Sequence, residues 1–359
     1  MHYRLGRVLE KTGDWPAATG AYQSAVDLNP AQATWHYKLG RGFERSGHWM
    51  GAISAYQAAV SRDPDRPDWH YRLGVSFLKI RNFESASYCF READKRFKAA
   101  NGTSEGSPST RLSYPQRFEL SLIRKPMYGY CLYRGAQLAK RLGLDHVSAV
   151  EFGVAGGNGL IAMESHAAEI ERITGVTISV FGFDSGEGLY APADYRDMPY
   201  YFAPGHYKMD VEGLQARLSR AQLVLGDARM TFAEFTSAGH PPIAAMSFDM
   251  DYYSSTIGVL EIAGQESSQK GFLPRTYCYF DDVTGYKTQD YNEFTGELLA
   301  IAEFNGTHES AKFARDRYFR ARPFRPAWTE KLYTFHRFDH PEYGAYVGHT
   351  GPTSLKLRG

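Results

Sequence analysis

The chain has 359 residues, which is enough for two domains of ordinary size. Its 41 Lys and Arg residues balance 40 Asp and Glu residues, so the net charge of +1 argues against recruitment of nucleic acid or of an anionic membrane. No apolar run reaches the roughly 18 residues of a membrane span, and the N-terminal stretch lacks the apolar core of a signal peptide. The three scattered cysteines argue against a disulfide framework or a zinc site, so we expect a cytoplasmic protein.

The first hundred residues repeat with a period of 34 residues. The motif His-Tyr-Arg/Lys-Leu-Gly occurs at residues 2–6, 36–40 and 70–74. Small and aromatic residues follow in the same phase, at Ala18, Ala52 and Ala86 and at Tyr22, Tyr56 and Phe90. The period and the pattern resemble tetratricopeptide repeats, whose helix–turn–helix units stack into a solenoid. We therefore predict an all-α array of about three units over residues 1–100, with the first unit incomplete.

Two roles are open for such an array. It presents a concave groove to a partner protein, or it packs against the next domain or a second subunit, which the small number of units favours. A polar stretch rich in Gly, Ser and Pro predicts a linker over residues 101–112. Apolar positions in a helical pattern then predict a helical cap or lid over residues 113–145.

From residue 146 to residue 359, apolar strand-like runs alternate with helical segments. This alternation predicts an α/β domain of the Rossmann-like class, with a mostly parallel, doubly wound sheet. The predicted strands are 147–154, 177–184, 222–226, 243–249, 276–280 and 331–338, and the predicted helices are 158–174, 211–220, 229–238, 255–269 and 288–304. Ligands of such sheets bind beyond the carboxyl ends of the strands, so the residues that follow the strands are the candidates for a site.

The turn after the first predicted strand is rich in glycine and reads Glu151-Phe-Gly-Val-Ala-Gly-Gly157. Glycines at a strand-to-helix turn permit a tight bend and a close approach of the backbone to a ligand. A dinucleotide fingerprint would place glycine at positions 155 and 158, which hold Ala155 and Asn158. Many nucleotide-binding folds carry such a turn, and these two positions argue against a dinucleotide cofactor.

Acidic residues follow the second and third strands. Asp184, with Ser185 after it, is placed to accept hydrogen bonds from the two hydroxyls of a ribose. Asp227 is placed near an adenine amine, or it caps the helix that begins near Arg229, and both interpretations stay open. These positions indicate adenosine binding and do not specify a reaction.

Four more carboxylates follow the fourth and fifth strands, Asp249 and Asp251 after the one and Asp281 and Asp282 after the other. Carboxylates held this close repel one another unless a cation or a proton lies between them. An all-oxygen set suits a hard cation such as Mg²⁺. Alternatively one or two of these acids cap helices, as Asp251 would do before Ser254.

The four motifs E-F-G-V-A-G-G, F-D-S-G-E-G-L, D-M-D-Y-Y-S-S-T and F-D-D together resemble the macrocin-type O-methyltransferases. These class I enzymes use S-adenosylmethionine and act on sugars of macrolide antibiotics and related natural products; the resemblance covers about residues 110–359. It implies the metal ligands Asp251, Asp281 and Asp282, of which we also count Asp251 as catalytic. It implies a cofactor site formed by Glu151, Gly153, Ala155, Gly157, Asp184, Ser185, Asp227 and Asp249.

The resemblance also implies a general base in the loop that follows the second strand, where His206 is the matching residue. In the implied mechanism Mg²⁺ lowers the pKa of an acceptor hydroxyl, His206 accepts the proton, and the oxygen attacks the activated methyl group. We expect the acceptor to be a sugar, a glycan or another small natural product.

Two other functions stay open. One is an NAD-dependent oxidoreductase, against which Ala155 and Asn158 argue; the other is an interaction protein whose second domain is a catalytically silent cofactor binder. Basic and aromatic residues also alternate from Lys312 to Arg325, which is typical of phosphate or RNA binding or of a solvated outer face. The balanced total charge favours the solvated face, and a phosphorylated or nucleotide-linked sugar acceptor is an intermediate interpretation.

Overall fold

The computed structural model describes residues 1–284 and 291–348. The chain divides into two compact units, of which the first comprises Met1–Pro126 and Phe319–Pro326 and the second Met127–Tyr318 and the chain from Ala327. The sequence-based boundaries at residues 100, 112 and 145 thus do not coincide with the edges of these units. No helix among the described residues is both long and apolar enough to cross a membrane.

The first unit is built from helical hairpins. Its helices are α1 His2–Thr12, α2 Trp15–Leu28, α3 Ala33–Arg45, α4 Trp49–Arg62, α5 Pro67–Lys79 and α6 Phe83–Asn101. The glycine of each Leu-Gly pair lets the two helices of a hairpin meet. A Cβ atom on Gly40 would lie 2.7 Å from the ring of Tyr56, and one on Gly74 would lie 2.9 Å from the ring of Phe90. The predicted tetratricopeptide array is confirmed, and its glycines are required by this close approach.

A recurring polar contact, called here the polar ladder, joins each of the first two hairpins to the next one: a glutamate of the first helix binds a tyrosine of its own hairpin and a basic residue of the following hairpin. The Glu10 carboxylate accepts hydrogen bonds from the Tyr22 hydroxyl at 2.6 Å and from Lys38 at 2.9 Å. One period later the Glu44 carboxylate accepts hydrogen bonds from Tyr56 and from Arg72.

In the third hairpin Leu78 and Phe90 occupy the positions of the glutamate and the tyrosine. Phe90 belongs to an apolar cluster with Leu112 and Leu120, against which Leu78 packs. The polar ladder therefore does not continue beyond the third hairpin. With Leu78 and Phe90 in place of a glutamate and a tyrosine, this end of the array presents an apolar surface, which is stable only when it is covered.

The stretch predicted as a linker packs on the last repeat. Pro108–Arg111 form a short 3₁₀ helix in which Pro108 and Ser109 are buried. The Ser109 hydroxyl and amide both donate hydrogen bonds to the Asp94 carboxylate on α6. Helix α7, Tyr114–Glu119, follows, and the Ser87 hydroxyl on α6 donates a hydrogen bond to the Leu120 carbonyl at 2.6 Å.

The second unit contains a seven-stranded sheet formed by described residues. Its strands are β1 His146–Phe152, β2 Thr177–Asp184, β3 Gln222–Leu225, β4 Ile243–Phe248, β5 Phe272–Phe280, β6 Ala311–Arg315 and β7 Leu332–Arg337. The strand order is β3-β2-β1-β4-β5-β7-β6. Strands β1 to β5 pair in parallel, and β7 pairs antiparallel with β5 and β6. The predicted Rossmann-like, mostly parallel sheet is confirmed, and its strand order reverses between β1 and β4, where ligands of such sheets bind.

The helices of this unit are α8 Pro126–Arg141, α9 Asn158–Thr174, α10 Val211–Gln215, α11 Ala228–Ser237, α12 Tyr253–Gly264 and α13 Gly296–Thr307. Three sequence-based assignments differ from this structure. The helical cap predicted over 113–145 is interrupted before Pro126, because a residue that precedes proline avoids the α conformation, and Lys125 has φ 46°. The helix expected over 288–304 begins only at Gly296, and residues 285–290 lie outside the described residues. Strand β6 was missed, because its buried Phe313 lies within the basic and aromatic stretch.

A phenylalanine is the last or the next-to-last residue of each of the four strands that contribute most to the site. These residues are Phe152, Phe183, Phe248 and Phe280, and each is fully buried. The rings of Phe248 and Phe280 stack with their centroids 4.3 Å apart, and Phe152 stacks on Phe248 at 5.1 Å. The residues that follow them are the candidate residues Gly153, Asp184, Asp249 and Asp281. The aromatic core therefore fixes the backbone positions from which the site is built.

Candidate functional site

A cavity of about 390 Å³ lies at the carboxyl ends of β1, β2, β4 and β5. Nine of the residues predicted from the sequence line it, namely Gly153, Ala155, Asp184, Ser185, Asp227, Asp249, Asp251, Asp281 and Asp282. Glu151, Gly157 and His206 are not among the described residues of the lining. The structure thus brings most of the candidate residues into one place, although they are spread over more than a hundred positions of the sequence.

The glycine-rich turn has a conformation that its sequence explains. Gly153 has φ +80°, and a Cβ atom there would lie 1.9 Å from the carbonyl oxygen of Asp249. Ala155 also lies in the left-handed region, with φ 43°, which strains a residue that carries a Cβ atom. The backbone N–H groups of Val154 and Ala155 donate hydrogen bonds to Asp184 Oδ2 at 2.8 and 2.9 Å. The Asp184 carboxylate therefore ties the end of β2 to the turn after β1.

Asp184 keeps capacity for a further hydrogen bond. Its second oxygen, Oδ1, accepts a hydrogen bond from the Gly186 N–H at 2.7 Å, and a carboxylate oxygen has two lone pairs. Ser185 shapes the same turn, because its hydroxyl donates to the Gly188 carbonyl at 2.9 Å and accepts from the Glu187 N–H. Asp184 is thus both a structural residue and a wall of the cavity.

Glu151 lies beneath the turn and only 2% of it is exposed. Its Oε1 accepts a hydrogen bond from the Tyr128 hydroxyl at 2.6 Å. A Cβ atom on Gly159 would lie 1.8 Å from the same oxygen, so glycine at this position lets the carboxyl lie against the first turn of α9. A negative charge near a helix N-terminus is favourable, and Glu151 supports the turn from below.

Asp227 acts as a helix cap. Its Oδ1 accepts a hydrogen bond from the Arg229 N–H at 2.9 Å at the start of α11, and its carboxylate forms an ion pair with the Arg229 guanidinium. The hydrogen bond from Arg229 lowers the pKa of Asp227. Both side chains line the cavity, so capping occurs at this position and a role toward a ligand stays a prediction.

Three carboxylates meet beyond β4 and β5. Oxygens of Asp249, Asp281 and Asp282 all lie within 4.8 Å of one another. The resemblance implied a set with Asp251 in place of Asp249, whereas the first residue after β4 is the one that joins the pair from β5. Asp251 lies two residues further on with φ +60°, and its backbone N–H donates a hydrogen bond to Asp282 Oδ2 at 3.2 Å.

The cluster has an unusual protonation equilibrium. Burial, and then the negative charges of Asp282, Asp249 and Asp281, raise the pKa of Asp251 to about 9. Burial and the charge of Asp281 raise the pKa of Asp282 to about 6. Crowded and desolvated carboxylates hold protons that isolated ones would release.

Glu297, near the N-terminus of α13, is a further acid of this site that the sequence did not suggest. Its side chain is fully buried, and burial followed by the charge of Asp282 raises its pKa well above the usual value. Its Oε2 accepts a hydrogen bond from the Asp282 N–H at 3.0 Å, and no described residue donates to Oε1. Glu297 thus holds the backbone of the Asp281–Asp282 turn.

Three other residues that sequence reasoning missed act on the same carboxylates. The Lys331 ammonium lies 3.1 Å from Asp281 Oδ1, and the Tyr279 hydroxyl donates a hydrogen bond to that oxygen. The Tyr291 hydroxyl donates to Asp282 Oδ1 at 2.9 Å. Tyr279 lies in β5 and precedes Asp281, the first residue after that strand, by two positions; the two-residue alternation of a strand was a signal that could have been used.

The long loop between β2 and α10 contributes the aromatic wall of the cavity. Residues near the two ends of this loop are joined by a hydrogen bond from the Leu189 N–H to the His206 carbonyl at 2.9 Å. Tyr201, Phe202 and Tyr207 from this loop line the cavity. The His206 ring accepts a hydrogen bond from the Ala203 N–H at 3.4 Å instead. The structure therefore places Tyr207 at the cavity and leaves the neighbouring histidine side chain outside the lining.

Comparison with known proteins separates the two units. The family model described as tetratricopeptide repeat matches residues 3–45 and 37–101. The first hundred residues are tetratricopeptide repeats. No curated protein sequence matches the chain.

Solved structures match parts of the chain at low similarity. CalS11, a calicheamicin methyltransferase, is 20% identical, with 64% of this chain and 91% of that chain covered and a TM-score of 0.39. A MamA RS-1 ArsTM double mutant is 25% identical, with 28% and 57% covered and a TM-score of 0.28, so this chain spans little more than half of that protein. The TPR2B domain of yeast Sti1 in a pHsp70 complex is 21% identical, with 33% and 94% covered and a TM-score of 0.29. With TM-scores this low, the function has to be inferred from the geometry of the site.

Proposed function

We propose that the second unit binds S-adenosylmethionine in the cavity and methylates a hydroxyl of a small-molecule or glycan acceptor, with the help of a divalent cation. One observation carries the proposal. The glycine-rich turn, Asp184 and the cluster of Asp249, Asp281 and Asp282 all line a single cavity of about 390 Å³. That cavity combines a nucleoside-binding arrangement with a cation-binding arrangement at the point where the strand order reverses.

The residues around Gly153 fit the cofactor. Gly153 and Ala155 bring bare backbone to the cavity wall, and helix α9 begins just beyond them at Asn158. Asp184 offers its remaining lone pairs to the hydroxyls of a ribose. When bound, S-adenosylmethionine supplies a methyl group that its sulfonium has already activated, so the protein has to orient the acceptor and accept a proton.

The donor set of Asp249, Asp281 and Asp282 fits Mg²⁺, which prefers carboxylate oxygens. A bound cation of this kind supplies Lewis acidity toward an acceptor hydroxyl. Lys331 and Tyr279 hold Asp281, and Tyr291 and Glu297 hold Asp282, so the two carboxylates keep their orientation.

Asp251 is the residue that we propose as the proton acceptor. It lines the cavity beside the three-carboxylate cluster, and it is the acid of that group that remains outside the set of Asp249, Asp281 and Asp282. His206, which the sequence resemblance suggested for this role, is not in the described lining. Asp251 replaces it in the proposal because a general base has to reach the proton that it removes.

The charge of the cavity restricts the acceptor. Six carboxylates from described residues line it, namely Asp184, Asp227, Asp249, Asp251, Asp281 and Asp282. Arg229 is the cation of that described lining, and it is paired with Asp227. We therefore infer an uncharged or cationic acceptor, because a phosphorylated sugar would meet an excess of negative charge.

Calorimetric titration tests the cofactor. S-adenosylmethionine and S-adenosylhomocysteine should bind the full chain, and NAD should not. Saturable binding of NAD without binding of the sulfonium compound would favour the oxidoreductase alternative and refute the proposal.

Two matched variants test the cation and the base. Asp249→Asn should abolish the binding of Mg²⁺, whereas Asp251→Asn should retain it and lose methyl transfer. Equal loss of Mg²⁺ binding in both variants would instead return Asp251 to the ligand set, as the sequence resemblance implied.

A further inference from the structure

Tyr190 contributes an aromatic ring to the wall of the cavity. Its side chain is 48% exposed and belongs to the lining of the space of about 390 Å³. Within residues 1–284 and 291–348, its hydroxyl has no hydrogen-bond partner and its ring has no aromatic or cationic contact. An exposed aromatic ring at a cavity wall offers apolar area that a flat ligand can cover.

The backbone of Tyr190 is held in place. Its carbonyl oxygen accepts a hydrogen bond from the Tyr252 hydroxyl at 3.2 Å. Tyr252 is 1% exposed and packs with Met198 and Phe202, two residues of the long loop to which Tyr190 also belongs. A ligand therefore does not have to order this part of the chain before it uses the ring, which lowers the entropic cost of binding.

The charges around Tyr190 locate its hydroxyl near the ends of β2 and β3. Burial, and then the negative charge of Asp227, raise the pKa of Tyr190. The charges of Arg229 and Asp184 act on the same hydroxyl. Asp184 is the last residue of β2, and Asp227 follows β3. Both acids are candidates for contact with an adenosine, so Tyr190 lies at the nucleoside end of the cavity.

Tyr207, from the other end of the same loop, lies near the carboxylates that follow β4 and β5. Burial, and then the charges of Asp251 and Asp282, raise the pKa of Tyr207. Strands β2 and β3 are on one side of β1 in the sheet, and β4 and β5 are on the other. We therefore assign the rings of Tyr190 and Tyr207 to different parts of the bound molecules.

The turn from β3 into α11 leaves space for a flat group. Gly226 and Ala228 line the cavity there, and neither has a side chain larger than a methyl group. Arg229, the longest side chain of this turn, lies against α12, because a Cβ atom on Gly258 would be 2.6 Å from its Cδ. A purine base has apolar faces, so it fits a space bounded by small residues and the ring of Tyr190.

We propose that the ring of Tyr190 stacks on the adenine base of the cofactor. The inference rests on the proposed function, because it requires S-adenosylmethionine in the cavity. Stacking on an aromatic ring uses the face of the base and leaves its polar edge free. Tyr190 therefore contributes affinity, while Asp227 keeps its candidate contact with the adenine amine.

Calorimetric titration of the full chain with S-adenosylhomocysteine tests the stacking. Tyr190→Ala should raise the Kd about fivefold or more, because the aromatic face is lost. Tyr190→Phe keeps the ring and should stay within about twofold of the natural chain. Tyr195→Ala is the matched control and should leave the Kd unchanged, since Tyr195 belongs to the same loop, is 66% exposed and lies outside the described lining.

A spectroscopic measurement separates stacking from a general loosening of the loop. The ligand is 5′-methylthioadenosine, which has the base and the ribose and lacks the amino acid. At saturation, binding to the natural chain and to Tyr190→Phe should lower the ultraviolet absorbance of the base. The decrease should be smaller with Tyr190→Ala, because a base that is no longer stacked absorbs more strongly.

The possible results separate the inference from the proposed function. Equal Kd values for the natural chain and Tyr190→Ala would overturn the inference alone. An equal loss of affinity in Tyr190→Phe would also overturn it, since the hydroxyl would then be the group that binds, and so would an equal loss in Tyr195→Ala. Absence of S-adenosylhomocysteine binding to the natural chain would instead refute the proposed function, and the inference with it.

Discussion

Replacement of Gly153 by alanine should destabilise the second unit far more than the same replacement three residues later. The added methyl group would lie 1.9 Å from the Asp249 carbonyl oxygen, and the backbone there has φ +80°. A left-handed conformation costs a residue with a Cβ atom about 1–2 kcal/mol, and overpacking adds about 1–3 kcal/mol. We therefore expect Gly153→Ala to lower the free energy of unfolding by about 2–5 kcal/mol.

Gly156→Ala is the control, because a Cβ atom on Gly156 would meet no atom within 4 Å and its φ is not positive. It should change the free energy of unfolding by less than about 0.5 kcal/mol. Urea denaturation followed by tryptophan fluorescence and circular dichroism measures both variants. Equal destabilisation of the two would refute the claim that the close approach of β1 and β4 requires glycine at position 153.

Three further predictions concern two titrating residues and one buried aspartate. Asp251→Asn should raise the melting temperature of the metal-free protein, measured by calorimetry in EDTA, and the increase should be larger at pH 8 than at pH 6. The reason is that Asp251 has a folded-state pKa of about 9, so the natural protein loses stability as the pH rises from about 4 toward 9. Burial lowers the pKa of His70, so the free energy of unfolding of the repeat unit should fall as the pH falls below about 6.5. In urea titrations at pH 7 and pH 5, His70→Gln should reduce the difference between the two free energies. Asp197 is fully buried and accepts hydrogen bonds from the Ser254 N–H and hydroxyl, which anchor the loop between β2 and α10. Asp197→Asn should therefore raise the KM for the acceptor and leave the Kd of the cofactor unchanged; an unchanged KM would contradict this role.

The sequence predicted the fold where the signal is local and repeated. Identical motifs at a fixed period made the repeats evident, and the apolar runs gave β2 with its observed bounds, Thr177–Asp184. Strand β6 was missed because it is a short strand at the edge of the sheet, and the helix predicted over 288–304 begins only at Gly296.

The candidate site was predictable as a set of strand ends, since the carboxyl ends of parallel strands share one edge of the sheet. The sequence could not predict which of Asp249 and Asp251 lies with Asp281 and Asp282, because the position of Asp251 depends on its left-handed backbone conformation. The roles of Lys331 and Tyr291 could not be predicted either, since Lys331 lies 50 residues after Asp281 and Tyr291 falls within the segment predicted as a helix over 288–304. The sequence resemblance pointed to His206 by its position in the loop after the second strand, whereas the adjacent Tyr207 lines the cavity.

The exchange of a glutamate and a tyrosine for Leu78 and Phe90 also determines how the repeat array can change its length. A duplicated copy of the middle hairpin, α3 and α4, would follow a hairpin that offers Glu44 and precede one that offers Arg72. It could therefore form the same polar contacts with both neighbours as the existing hairpins do. A copy placed after α6 would meet an apolar surface that residues 112–120 already cover. Growth by duplication is therefore permitted within the array and blocked at its distal end by two side chains.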